Sequence, residues 1–114
     1  MTKGIVMLEA INITTYNQLE ADFGEILVEL KAAFIEDGFQ LLAQIEQAIQ
    51  QSDTDTLNYA AHTLKSSARN IGAEPLADFC DVLEQTQLPE ANAPSLYEKA
   101  QSQMQAAAQF LNSH

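Results

Sequence analysis

Residues 54–73 read Thr-Asp-Thr-Leu-Asn-Tyr-Ala-Ala-His-Thr-Leu-Lys-Ser-Ser-Ala-Arg-Asn-Ile-Gly-Ala, and this stretch decides the fold. At ~100° per residue, Leu57, Ala61, Leu64, Ala68 and Ile71 fall within an arc of about 80°, the apolar stripe of an amphipathic helix. Ser52-Asp53-Thr54 is a start signal, because side-chain oxygens can take up free backbone N–H groups. Gly72 suits the C-terminal cap, and Pro75 suits the first turn of the next helix. The spacing therefore predicts a helix over Thr54–Ile71. A partner helix follows, with Leu76, Phe79, Cys80 and Leu83 in a stripe at i, i+3, i+4 and i+7.

Working outward, Ile26, Leu27, Leu30, Ala33 and Phe34 recur at helical spacing, followed by Leu41, Leu42, Ile45, Ala48 and Ile49. Gly38 lies between the two series. One helix over 25–51 would be about 40 Å long at ~1.5 Å per residue, longer than the helices after it, so a break or kink is expected near Asp37–Gly38. Thr14 and Thr15 are candidate caps for a short helix through Leu19 to Phe23, and residues 1–13 are expected to be loose. Residues 89–94 form the last connection. A helix over about Ser95–Leu111 closes the chain, with Met104 and Phe110 in the core and His114 frayed. Four helices joined by short turns predict an all-α fold, an up-down antiparallel four-helix bundle with an additional N-terminal helix. The chain, 1–114, reads as a single domain.

The chain has 114 residues and is 46% hydrophobic, enough for one core. Alternating runs of β-branched residues are absent. A net charge of −11 would be repelled by nucleic acid and by anionic lipid, which excludes both as expected partners. One cysteine permits no internal disulfide, and Cys80 in the stripe reads as a core residue. No stretch approaches the ~20 apolar residues of a membrane span, and the run from Ile5 to Leu8 is too short for a signal peptide. A cytoplasmic protein is expected.

His62 lies about 140° from the middle of the apolar arc, on the solvent side. Lys65, Ser66 and Arg69 share its ridge, since residues three and four apart are neighbours on a helix, and Asn58 sits one turn before it. An exposed histidine is usually only a polar surface residue. Metal binding would need further His, Cys or carboxylate ligands at i+3 or i+4, and hydrolysis would need an activated nucleophile and an oxyanion site. The ridge supplies neither. What remains is the imidazole as nucleophile, since neutral His has a free nitrogen lone pair. A phosphoryl group held there would add charge of roughly −1.5 to −2, which Lys65 and Arg69 could partly neutralise. In a hairpin turning at Ala73, His62 and Glu84 are equally far from the turn. Glu84 could then accept a hydrogen bond from one ring nitrogen and fix the tautomer.

The run Ala61-His62-Thr63-Leu64-Lys65-Ser66-Ser67-Ala68, then Asn70-Ile71-Gly72-Ala73, Leu76, Cys80 and Leu83-Glu84, resembles the histidine-containing phosphotransfer (HPt) domain of bacterial phosphorelays. The likeness reaches upstream through Phe34-Ile35-Glu36-Asp37 to Asp53 and covers about residues 25–85. It implies a carrier, not an enzyme with a complete active site, whose His62 takes a phosphoryl group on Nε2 from a receiver-domain aspartate and passes it to another. The implied partners are response-regulator receiver domains, including those of a hybrid sensor kinase. The resemblance also implies no cofactor on this chain, with Mg²⁺ on the receiver. A monomer is expected. Lys65 and Glu84 match family positions. Ser66 stands where the family most often has Gly beside the approaching partner, and with Asn58 it marks the expected approach surface. The role of Arg69 rests on its charge alone. A helical adaptor that binds partners without being phosphorylated is the alternative.

Overall fold

The computed structural model describes residues 9–114. Five helices follow in order: α1 Ile13–Phe23, α2 Ile26–Gln51, α3 Thr54–Ile71, α4 Glu74–Glu84 and α5 Ala93–Ser113. There is no strand among the described residues. α2 packs on α3, α3 on α4, α4 on α5 and α5 back on α2, so each helix of the ring lies beside its sequence neighbours. That is the expected up-down bundle, with α1 laid across α2 and α3.

α3 forms where its stripe predicts. Asp53 caps it, its carboxylate accepting from the Thr56 backbone N–H at 3.1 Å and the Thr56 hydroxyl at 2.7 Å. Gly72 closes it in the left-handed region at φ 87°. Leu57, Ala61, Leu64 and Ala68 are wholly buried, as are Leu76, Cys80 and Leu83 of α4 and Met104 of α5. Burial pushes the Cys80 thiol up to about 12, so it is a packed, unreactive group.

Several expectations need correction. α2 does not break at Asp37–Gly38 but runs unbroken for 26 residues. Gly38 is buried against α5, and a Cβ there would come within 2.7 Å of the Met104 Sδ and Cε. The glycine is a notch for the Met104 side chain of α5 and does not interrupt the helix. The N-terminal part of α2, which α1 contacts, buries Leu27 but leaves Ile26, Val28 and Leu30 exposed. Next, α1 is capped by Asn12, whose Oδ1 accepts from the Thr15 N–H at 3.0 Å, and not by a threonine. The stretch expected to be loose is anchored where it is described: Ile11 is fully buried and the Asn12 N–H donates to the Gly72 carbonyl at 2.8 Å. The rest of that segment, residues 1–8, lies outside the described residues. Finally, His114 is not frayed. Its ring stacks on Phe110 at 3.9 Å, and its Nδ1 lies 2.8 Å from the Phe110 carbonyl.

α5 also begins at Ala93 rather than Ser95, with Pro94 inside its first turn. A proline N has no proton to leave unpaired there, so the ring ends the connection and starts the helix.

Candidate functional site

α3 and α4 are antiparallel across the tight Gly72–Ala73 turn, which fixes their register. The register sets His62 against Glu84 and Lys65 against Asp81. The His62 Nδ1 lies 2.8 Å from Glu84 Oε2. The other Glu84 oxygen, shut off from solvent, faces Lys65 Nζ at 2.6 Å, an ion pair outside ideal hydrogen-bond angles. The same ammonium donates to Asp81 Oδ1 at 3.1 Å. Imidazole, carboxylate, ammonium and carboxylate thus run in one line along the α3–α4 seam.

The electrostatics keep the two central groups, Glu84 and Lys65, charged. The Lys65 ammonium, and then the His62 ring, hold the Glu84 carboxyl below the usual carboxylate range. Glu84 first and Asp81 second raise Lys65 above the ordinary lysine value. An ionised carboxylate can only accept, so in the neutral ring Nδ1 carries the proton. Nε2 then bears the lone pair, on an imidazole whose side chain is 58% exposed.

The remaining ridge residues take different places. Asn58 donates from Nδ2 to the Leu83 carbonyl at 3.3 Å and the Thr86 carbonyl at 3.0 Å. It ties down the end of α4 that carries Glu84. Ser66 is exposed one turn beyond His62. Arg69 is not brought to the imidazole. It lies seven residues on, about 10 Å along the axis at ~1.5 Å per residue, with its guanidinium on Glu74 at 2.9 Å and Asp78 at 3.7 Å. Among the described residues no group of three or more His, Cys, Asp or Glu side chains could hold a metal ion.

Two residues escaped the sequence reading. Asp81 was legible: Lys65 lies eight residues before Ala73 and Asp81 eight after it, the same symmetry that pairs His62 with Glu84. Tyr59 stands 70% exposed one turn before His62, where its aromatic character alone suggests burial.

The sequence matches the Hpt domain over residues 29–112. No curated protein matches it. Among solved structures, the fold is similar to the crystal structure of histidine-containing phosphotransfer protein B (HptB) from Pseudomonas aeruginosa PAO1, with a TM-score of 0.88 at 22% identity, over 94% of this chain and 95% of that one. No helix among the described residues is long and apolar enough to cross a membrane.

Proposed function

The chain belongs to the Hpt domain family, the phosphoryl carriers of two-component phosphorelays, and we propose that His62 is the residue on which it carries the group. The observation that supports this reading is the ring's arrangement: Nδ1 engaged by Glu84 at 2.8 Å, with Nε2 left on an exposed helix face. The Nε2 lone pair forms a bond to the phosphorus of a receiver's aspartyl phosphate. The P–O bond breaks and its electron pair leaves with the aspartate. The Nδ1 proton stays in place, so the phosphorylated ring carries positive charge toward the Glu84 carboxylate. That charge makes the imidazole a good leaving group when the next receiver aspartate attacks.

Glu84 orients the ring, and Lys65 both neutralises Glu84 and is near enough to turn toward the phosphoryl oxygens. Arg69, held by Glu74 and Asp78 two turns away, acts at most on a docked partner. Ser66 and Asn58 flank the approach: Ser66 exposes a small hydroxyl and Asn58 holds α4 in register. The receiver supplies the groups this chain lacks, its acidic pocket and Mg²⁺. A monomeric carrier in the cytoplasm, serving receivers that include those of hybrid kinases, suits a transient contact of modest area.

Incubation with a phosphorylated receiver should place acid-labile, alkali-stable phosphate on the chain, and His62→Gln should abolish the uptake. A His62→Gln variant that still accumulates such phosphate would move the accepting residue elsewhere. A wild-type chain that binds the receiver without acquiring phosphate would leave only an adaptor.

A further inference from the structure

The Lys65 ammonium has three N–H donors. In the resting protein it lies 2.6 Å from Glu84 Oε1 and 3.1 Å from Asp81 Oδ1. These anchors are not equivalent. Glu84 is fixed at its far oxygen by His62. Asp81 makes only the lysine contact among the described ion pairs, and its side chain is 41% exposed against 26% for Glu84. A phosphoryl group on Nε2 brings roughly −1.5 to −2 charge and three acceptor oxygens onto the face where Lys65 is one helical turn away. The four-carbon lysine stem is flexible enough to turn toward it. Arg69 cannot take its place, because Glu74 and Asp78 hold it further along the seam. Turning outward therefore means leaving Asp81.

We propose that Asp81 is a positioning residue that competes with the phosphoryl group for the Lys65 ammonium and so shortens the life of the phosphorylated carrier. This rests on the reading of His62 as the phosphoryl acceptor. With Asp81 present, the lysine is divided between the seam and the phosphoryl oxygens, and the N–P bond stays ready to transfer. Without it, the ammonium settles on the phosphoryl group. It then stabilises the doubly charged ground state more than a loose transition state whose phosphoryl oxygens are losing charge.

The chain can be loaded with potassium phosphoramidate, which forms the N–P bond to His62 as its own P–N bond breaks and ammonia leaves. Hydrolysis of the phosphohistidine is then followed at neutral pH. Asp81→Asn should lengthen the half-life about two- to fivefold, the range expected for a partly exposed ion pair. Asp81→Glu should restore the wild-type value. Asp55→Asn, the same charge change at an exposed α3 position outside the seam, should leave it unchanged. In a Lys65→Ala background Asp81→Asn should have no effect, a result that general electrostatics or loosened structure would not produce. An unchanged half-life in Asp81→Asn, or an equal lengthening without Lys65, overturns the proposal while the carrier reading stands. A wild-type chain that takes no phosphate on His62 overturns both.

Discussion

Each oxygen of the Glu84 carboxylate has a different partner, and the asymmetry decides which His62 nitrogen reacts. Oε2 takes the Nδ1 side of the ring and Oε1 takes Lys65. Remove the carboxylate and nothing on the described seam selects the tautomer. Glu84→Ala should therefore shift the neutral ring of His62 from mainly Nδ1–H toward Nε2–H, read from the ring ¹⁵N chemical shifts, with the helical circular dichroism unchanged. A variant with wild-type ring shifts would show that Glu84 only neighbours the imidazole. This pair was legible in the chain because two helices leaving one tight turn must meet at equal distances from it. Arg69 was not legible for the same reason seen from the other side. Helical angle puts it on the His62 ridge, but only tertiary packing shows that α4 presents Glu74 and Asp78 to it. Charge says that a cation is present, and the opposing helix says where it points.

At the scale of elements, α3 and α4 followed from periodicity, capping and turn chemistry because those signals are local. α2 did not, because a glycine between two apolar series has two physical meanings. It is a hinge if the backbone bends, and a notch if another helix passes close. The backbone stays helical through Gly38, and Met104 of α5 occupies the space a side chain would need. A partner sixty-six residues away cannot be read from a local window. The two meanings predict opposite effects of substitution. At a hinge, a larger residue would only stiffen the chain. At this notch, Gly38→Val should destabilise the bundle by about 1–3 kcal/mol through overpacking, measured as a lower denaturant midpoint at unchanged slope. Equal or greater stability in the valine variant would restore the hinge. The cap of α1 is a similar case: Thr14 and Thr15 resemble caps by residue type, yet Asn12 is the residue placed to accept, because its own N–H is held by the Gly72 carbonyl.

For the whole molecule, a net charge of −11 opposes compaction, and the seam opposes it least by matching carboxylates of α4 to the cations of α3. These pairings make stability depend on pH in a definite direction. Glu84 ionises below its ordinary value of 4.5, held down by Lys65 and then His62. Asp53 ionises below its ordinary 3.8, held down by the Thr56 hydroxyl and N–H that it accepts from. A lowered carboxylate contributes stability that is present above the unfolded value and lost as the pH falls through the folded one. Lys65 is raised above 10.5 by Glu84 and Asp81, so its contribution is present below that value and lost as the pH rises through the folded one. General relief of repulsion acts the other way in acid, since protonation lowers the net charge. Comparing wild type with Glu84→Gln separates the two. The stability difference between them should close progressively below about 4.5, where the wild-type carboxylate also loses its charge. In alkali it should narrow above 10.5, as Lys65 gives up its proton and the ion pair vanishes in both proteins. Urea midpoints across the range test this. A difference that is flat into acid would show that the Glu84 ion pairs contribute nothing to folding, and that the seam is arranged for the chemistry of His62 alone.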